Sequence, residues 1–469
     1  MKKTGFFLVV IVALASFMVL TASQKSEAVP SFARQLKKPC TACHTIWPEL
    51  NAYGRQFKVK AYTDASPDWG TIHKDRLDLF TVFPLSVHIL YRPYQMDSDG
   101  TAMGPKGPVN NTELQNAHII LAGRIYKYAG IFTQTSGAKA MKWGIFKLGF
   151  WHPIAGNPVQ ILFFRGLATS SDPFASLGGW DRNFNSTDAA IPWVLAKGWT
   201  GGIWGGDNYG IALDGFLHLP ISTSGSLYWD LTGLRSGAPE TDADLLGNAD
   251  LSEIPSNPFT GGTPTGTVDN TQQPVGGYAR LAWDQKLSNG WVTFGGMLYS
   301  APTDVENPTT GTFGRTRIVR EYIDASTELD YGMHSMVLGR AIYGHGEESG
   351  LTPFGAVAGS GLGPGDKRRF DGGAVEASYW YDRTYGVVGG YNFVSNHDVQ
   401  AADWDPAGRQ GSWYASVNYL PMLNVKVQLE YAETLTDYVA GNSLTDGNGH
   451  ASPSNETDHL YRALINFAF

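Results

Sequence analysis

Short segments in which apolar and polar side chains alternate recur from residue 79 to the end of the chain, and this period constrains the fold more than any other feature. Over residues 425–431, for example, valine, leucine and tyrosine alternate with lysine, glutamine and glutamate. Such alternation places one face of a strand in an apolar environment and the other face in a polar one. The sequence therefore predicts an all-β fold, a closed antiparallel transmembrane β-barrel of about sixteen strands, at 79–93, 112–128, 129–137, 142–152, 157–170, 199–218, 221–233, 274–287, 290–301, 316–331, 332–346, 368–384, 385–397, 410–421, 422–434 and 456–469.

The connections between these segments differ in length according to parity. Most connections after odd-numbered segments are long, with 137–141 as the exception, whereas connections after even-numbered segments are short, as at 288–290. Bacterial outer-membrane barrels have long extracellular loops and short periplasmic turns. The last segment ends on Phe469, which resembles the assembly signal of bacterial outer-membrane proteins. We therefore expect the residues before 79 to start on the periplasmic side and to fold into the lumen as a small, partly helical plug.

The N-terminus has the features of an export signal. Lys2 and Lys3 precede a mainly apolar run over 6–20, and small residues lead to Ala28. The run is shorter than the ~20 residues that a membrane-spanning helix needs, so we expect cleavage after Ala28. The predicted division is a signal peptide at 1–28, a plug domain at 29–78 and a barrel at 79–469.

The composition excludes two other classes of protein. Charged residues are 17% of the chain, aromatic residues are 13%, and the net charge is -8. Few charges and many aromatic rings are not typical of a disordered chain, and an acidic balance is not that of a nucleic-acid binder.

Cys40 and Cys43 are the two cysteines of the chain, and His44 follows them directly. In an exported protein the spacing Cys-x-x-Cys-His is that of a c-type haem attachment site, in which each thiolate forms a thioether and the histidine coordinates iron. A zinc site would need a second Cys or His cluster, and a redox dithiol is typical of a βαβ unit. The sequence has neither pattern, so it predicts one covalently bound c-type haem and makes the plug a monohaem cytochrome domain.

Several residues are candidates for the second axial ligand of the haem iron. His88 comes first, because the alternation places it on the lumen face of the first strand. His73 comes next, on the link between plug and barrel. Met96 and Met103 are further alternatives, since the mature chain has no earlier methionine. An open site is another, and His118 is a more remote candidate.

Basic residues are concentrated around the motif, where 29–60 holds six of them against one acid. Arg34, Lys37, Lys38 and Arg55 are candidates for contacts with haem propionates or with an electron-transfer partner. The alternative is that these cations form an ordinary solvated surface.

The connection 235–273 carries six acidic residues and one arginine. Carboxylates there are suited to attract hard cations such as Fe(II) to the mouth of the barrel. The alternative is a solvated loop beneath lipopolysaccharide, which itself binds divalent ions.

Five stretches of the N-terminal region carry a family resemblance: 30–35 (PSFARQ), 40–44 (CTACH), 48–50 (PEL), 53–58 (YGRQFK) and 83–86 (FPLS). They resemble the fused monohaem cytochrome-porins of iron-oxidising bacteria. The resemblance is specific over about residues 29–90 and only architectural over the barrel.

This resemblance implies an outer-membrane electron conduit. In such a protein, an Fe(II) oxidase, electrons pass from extracellular Fe(II) to a haem held by Cys40, Cys43 and His44, and then to periplasmic cytochromes. Two alternatives stay open: a diffusion porin whose haem plug is structural or gating, and extracellular electron transfer with a different donor or acceptor.

The attachment motif gives a first prediction. Replacement of both cysteines, Cys40→Ala with Cys43→Ala, should abolish haem staining on a denaturing gel, and either single replacement should weaken it, because each thioether is one of two covalent anchors. Thr41→Ala, within the same turn, is the matched control and should stain normally. Staining that survives the double replacement would exclude this attachment site.

Overall fold

A computed structural model describes residues 31–47, 49–64, 71–74, 77–80, 84–97, 113–136, 142–166, 169–174, 208–218, 224–235, 275–306, 313–332, 334–350, 367–396, 408–422, 424–438 and 455–468. The predicted signal peptide, Met103 and the acidic residues between 236 and 273 lie outside these ranges. Among the described helices, none combines the length and the apolarity needed to cross a bilayer.

Sixteen antiparallel strands close into one barrel, which confirms the predicted architecture. Each strand pairs with its neighbours in sequence, and the last strand pairs with the first to complete the circle. The wall strands are β3 (Leu85–Asp97), β4 (Glu113–Tyr126), β5 (Ala129–Ser136), β6 (Lys142–Ile154), β7 (Asn157–Gly166), β8 (Asn208–Leu217), β9 (Gly225–Arg235), β10 (Val275–Leu287), β11 (Gly290–Glu306), β12 (Phe313–Tyr331), β13 (Ser335–Gly350), β14 (Lys367–Tyr381), β15 (Tyr385–Asn396), β16 (Gly408–Met422), β17 (Val425–Tyr438) and β18 (Asn455–Ala468).

The two faces of the wall differ as the alternation predicts. Leu231, Ile323 and Val417 project outward and are about 60% exposed or more, whereas Asn418 and Gln428 project inward and are buried. A closed barrel pairs its backbone groups between strands and leaves no open edge, which is the condition for a sheet to span a membrane. The barrel is therefore built as a membrane-spanning wall with an apolar outside.

The wall begins later than the sequence predicts. Residues 71–80 form a separate antiparallel hairpin, in which β1 (Thr71–Lys74) pairs with β2 (Leu77–Phe80). The predicted start of the barrel at 79 is therefore wrong, and β3 begins at Leu85. The physical reason is Pro84, which has no N–H to donate to a ladder and is confined to strand starts and edges; its carbonyl accepts from Ala122 of β4 at 2.9 Å.

A second predicted segment is described only in part. The segment expected at 199–218 corresponds to β8, which begins at Asn208. Residues 199–207 lie outside the described ranges.

Residues 31–64, here called the plug, lie inside the lumen. They form α1 (Ser31–Leu36), a 3-10 turn (Cys40–Ala42) and α2 (Ala52–Val59). Asn51 caps α2, since its side chain accepts a hydrogen bond from the Gly54 N–H at 2.9 Å. These helices are too small to bury a core unaided, so their stability depends on the wall around them.

Ion pairs that are shielded from water attach the plug to the wall. Arg55 of α2 is 3% exposed and donates to Glu328 at 2.9 Å and to Asp284 at 3.1 Å. Glu49 accepts from Arg340 at 2.6 Å. Burial lowers the pKa of Arg55, but the carboxylates of Asp284 and Glu328 together raise it above its ordinary value, so the guanidinium stays charged.

The plug lies in the half of the barrel nearest the short turns. Asp284 and Glu328 are each three positions before the end of their strand at a short turn. On the opposite side of the lumen, the Ser31 N–H donates to Ser86 Oγ near the start of β3 at 2.5 Å, and Gln35 donates to the Ala122 carbonyl at 2.9 Å. This placement agrees with entry of the chain from the short-turn side.

Part of the connection between β7 and β8 also enters the lumen, as residues 169–174. The ring of Phe174 lies between two guanidinium groups, with Arg55 of the plug at 5.3 Å and Arg280 of the wall at 5.4 Å. Lys58 of the plug donates to the Asp172 carbonyl at 2.7 Å. This segment therefore packs between the plug and the wall and contacts both.

Arg55 gives the second prediction. Arg55→Ala leaves two buried carboxylates without their cation, which should destabilise the docked plug by ~3–5 kcal/mol. We expect faster tryptic cleavage of the plug in detergent and a higher ion conductance of the barrel in planar bilayers. Arg317→Ala is the matched control, because Arg317 is exposed on β12 and its hydrogen bond to Ser300 Oγ is long, at 3.4 Å. An Arg55→Ala protein as protected and as poorly conducting as the unmodified chain would contradict this anchoring role.

Candidate haem site

The Cys-x-x-Cys-His motif forms a compact turn at the centre of the plug. The Cys43 and His44 N–H groups both donate to the Cys40 carbonyl, at 3.1 and 2.9 Å. Asn51 closes the turn, since its amide donates to the Thr41 and Ala42 carbonyls at 3.1 Å each. These hydrogen bonds within the protein fix the backbone of the motif without a bound ligand.

Helix α2 crosses this turn at a distance that only glycine permits. A Cβ built at Gly54 would lie 2.1 Å from the Cys43 carbonyl oxygen. Backbone on both sides cannot move away cheaply, so the glycine allows the helix to contact the motif directly. The stretch 53–58, which carries part of the family resemblance, therefore has a packing role beside the motif.

A cavity of about 220 Å³ lies between the plug and strands β3 to β5. Cys40, Cys43 and His44 line its plug side, and His88 lines its wall side. The rest of the lining is mainly apolar or aromatic and includes Phe32, Leu36, Trp47, Leu50, Phe57, Tyr62, Ile120 and Phe132. Exposed Pro39 and partly exposed Lys38 also line the cavity, which therefore reaches the protein surface beside them.

His88 is buried in the lumen at 7% exposure, as the alternation of β3 predicts. Its ring centroid lies 5.5 Å from that of Trp47, which follows the motif closely in sequence. On its other side the ring stacks on His118 of β4, its direct cross-strand partner, at 5.8 Å and an interplanar angle of 5°. His118 Nδ1 lies 2.5 Å from the Thr135 carbonyl oxygen, which accepts a hydrogen bond when that nitrogen carries the proton. The two rings therefore hold one another in a defined orientation.

These residues fit a c-type haem. The macrocycle is apolar and needs a cavity with apolar walls, two thiols on one side and nitrogen ligands for the iron. The cavity brings the motif and His88 to one lining, and its remaining walls are mostly hydrocarbon. Burial raises the pKa of the Cys43 thiol to about 12, although Lys38 opposes that shift.

The other proposed axial ligands are less well placed. Met96 lies on the same strand as His88, eight positions further, which is ~26 Å at ~3.3 Å per residue. His73 lies in the separate β1–β2 hairpin, which is not part of the barrel wall. Met103 lies outside the described residues. Among the candidates whose side chains the structure describes, His88 lines the cavity.

The four candidate cations have different surroundings. Arg55 is bound by wall carboxylates, so it anchors the plug rather than facing the cavity. Arg34 donates to the Leu85 carbonyl at the start of β3. Lys38 lines the cavity and lies 2.9 Å from the Tyr53 hydroxyl, and Lys37 is exposed. Contacts of Arg34, Lys37 and Lys38 with propionates or a partner stay predictions.

Sequence reasoning missed Trp47 and the carboxylates that hold Arg55. Trp47 follows the motif closely, and a large ring beside a predicted haem was a usable signal. Asp284 and Glu328 occupy inward positions of their strands near short turns, where a buried charge indicates a partner inside the lumen. In the described part of the chain, no group of three or more His, Cys, Asp or Glu side chains is arranged to hold a bare metal ion.

No family model matches the sequence, and no curated protein matches it. Solved structures with a similar architecture include OmpT, an outer-membrane protein of Vibrio cholerae, at 12% identity and TM-score 0.45, covering 82% of this chain and 99% of that one. The anion-selective porin from Comamonas acidovorans is 11% identical at TM-score 0.46, with coverage of 82% and 99%. Salmonella typhi OmpF is 12% identical at TM-score 0.43, with coverage of 85% and 100%. Nothing about selectivity or ligands carries over from these proteins.

His88 gives the third prediction. In the protein purified with its haem, His88→Ala should shift the ferric absorption spectrum toward the high-spin form and change the reduction potential, because an axial nitrogen ligand is lost. His152→Ala, an exposed histidine at the end of β6, is the matched control and should leave both unchanged. An unchanged spectrum for His88→Ala would assign the distal position to another group.

Proposed function

We propose that this protein is an electron conduit of the bacterial outer membrane that oxidises extracellular Fe(II) and delivers electrons to a periplasmic cytochrome. One observation carries the proposal. The Cys-x-x-Cys-His turn lies inside a membrane-spanning barrel, and its Cys43 and His44 share an apolar cavity with the buried His88 of the wall.

Cys40 and Cys43 are the residues that would attach a c-type haem, with His44 and His88 holding its iron. When bound, the haem supplies a centre that accepts and releases one electron at a time, which matches the one-electron oxidation of Fe(II). The chain itself orients the site: Asn51 fixes the motif turn, Gly54 admits α2 beside it, and the wall positions His88.

The anchored plug also supports a redox centre inside the barrel over an open pore. Its anchors Arg55 and Glu49 meet partners on the neighbouring strands β10, β12 and β13, and Lys58 meets the segment 169–174 inside the lumen. Phe174 packs against Arg55 beside them. The plug therefore occupies the lumen near the short turns, and the space around the motif has a mainly apolar lining.

The proposed direction of electron flow follows from chain polarity. The short turns mark the periplasmic side in outer-membrane barrels, and the plug lies at that end. A small cation can approach from the side of the long loops, and a periplasmic protein from the side of the short turns. The resemblance to fused cytochrome-porins supports Fe(II) as the donor.

A diffusion porin with a structural or gating plug is the second candidate. A separate cavity of about 240 Å³, lined by both polar and apolar side chains, favours it, on the side of the plug away from His88. This cavity is lined by Thr45, Asn51, Glu328, Asp330 and Arg383, among other residues. The polar part of this lining suits water and ions.

Proteoliposomes separate the two functions and give the fourth prediction. The protein is reconstituted with its long loops outward, and soluble cytochrome c is trapped inside in one set of vesicles. An Fe(II)-specific chelator is trapped in a parallel set. External Fe(II) at neutral pH, without oxygen, should reduce the trapped cytochrome while little chelate forms, because electrons cross and iron does not.

The matched control is the Cys40→Ala, Cys43→Ala protein in the same vesicles. Its trapped cytochrome should be reduced no faster than Fe(II) reaches the trapped chelator, since the barrel closes without the haem but lacks the redox centre. Equal cytochrome reduction by the control, or rapid chelate formation with the unmodified protein, would contradict the conduit and support the porin.

A further inference from the structure

The surface beside the haem cavity is basic, and contacts through Asp64 and Thr63 link several of its lysines. Lys38 lies at the cavity edge, 3.6 Å from Asp64. Next to Asp64, Thr63 lies within hydrogen-bond distance of the Lys60 and Lys127 carbonyls, at 2.9 and 3.4 Å. Exposed Lys37 adjoins Lys38 in sequence. We call Lys37, Lys38, Lys60 and Lys127 the basic patch.

The aromatic residues beneath the patch hold it against the short turns. Lys60 lies over the ring of Trp151 at 5.6 Å, and Lys127 lies over the ring of Tyr128 at 5.1 Å. Trp151 and Tyr128 pack edge to face at 5.1 Å, and Trp151 donates to Thr63 at 2.6 Å. The patch therefore spans plug and wall as one surface, with the cavity edge at one end.

The charge of this patch is unbalanced among the described residues. It combines four lysines with the single carboxylate of Asp64. The opposite part of the short-turn rim is mixed, since it places Asp330 and Asp382 beside Arg383 and His334. Among the described residues of these two parts of the rim, the excess of positive charge lies on the side where the cavity reaches the surface.

We infer that the basic patch is the docking surface for a soluble electron-transfer protein with an acidic face. This inference rests on the proposed function, because it identifies where and how the periplasmic acceptor binds. Complementary charges around two redox centres raise association rates and orient the encounter. Lys37 and Lys38 lie at the lumen mouth rather than on the outer wall, which favours a soluble partner over lipid headgroups.

The test uses the full-length protein in detergent and two redox proteins of opposite charge. Plastocyanin serves as the acidic acceptor, and mitochondrial cytochrome c serves as the basic one. The variant combines Lys37→Glu, Lys60→Glu and Lys127→Glu and leaves the cavity-lining Lys38 unchanged. A second variant replaces the same three lysines by arginine, and Lys286→Glu, at an exposed position near the end of β10, is the control.

Binding is measured by microscale thermophoresis, and electron transfer is measured by stopped flow after the haem has been reduced chemically. At low ionic strength, the glutamate variant should bind plastocyanin at least about tenfold more weakly and reduce it about tenfold more slowly. The same variant should reduce mitochondrial cytochrome c faster than the unmodified protein does. Both differences should shrink above ~0.1 M salt, where screening acts within ~10 Å. The arginine variant and Lys286→Glu should match the unmodified protein.

Two results would overturn this inference, and a third would contradict the proposed function instead. Unchanged plastocyanin binding by the glutamate variant excludes the patch as a docking surface. Unchanged plastocyanin binding together with lost binding to vesicles of anionic phospholipid assigns the patch to the membrane and also overturns it. A protein that cannot be reduced because it holds no haem contradicts the proposed function alone, since the binding measurement still tests the patch.

Discussion

The ion pairs between Arg55 and two wall carboxylates determine where the rest of the site lies. A guanidinium that is 3% exposed is stable only beside fixed negative charges, and Asp284 and Glu328 supply them near the short turns. These contacts hold α2, and the close approach at Gly54 then holds the motif turn against α2. The motif therefore faces β3 to β5, where His88 lies, because its opposite side is fixed to β10 and β12. A plug without these anchors would be held only by its other contacts, such as Glu49 with Arg340 and Gln35 with Ala122.

The barrel and the plug stabilise one another in different ways. The wall is a closed hydrogen-bond circuit that needs no plug. The plug has too few residues for an independent core, so its apolar side chains pack against those of the wall. Ile46 packs with Trp380 and Leu420, and Val59 packs with Phe216 and Tyr228. A covalent haem between the two would add a further connection, so haem attachment and plug docking are expected to depend on each other.

Much of the wall could be predicted from the sequence because its information is local. A side-chain period of two along β17 distinguishes lumen from lipid, and it also placed His88 on the correct face of β3. The motif turn was equally local, with three ligand-bearing residues within five positions. The boundary near 79 failed because a short alternating stretch such as 77–80 fits a hairpin as well as a wall strand.

The plug anchors could not be predicted because their partners are distant in sequence. Arg55 is 229 residues from Asp284 and 273 from Glu328, and no local pattern links them. The same holds for the pairing of Trp47 with His88, which depends on how the plug is rotated. Sequence reasoning could place cations near the motif but could not tell Arg55, an internal anchor, from Lys37, an exposed charge.

The most direct test of the central claim is an experimental density map of the protein purified from its native membrane. The account predicts a flat macrocycle in the cavity between the plug and β3 to β5. Density should be continuous with Cys40 and Cys43, and the iron should lie between His44 and His88. An N-terminal segment outside the lumen, or a lumen that holds the plug with clear side-chain density but no macrocycle, would contradict it.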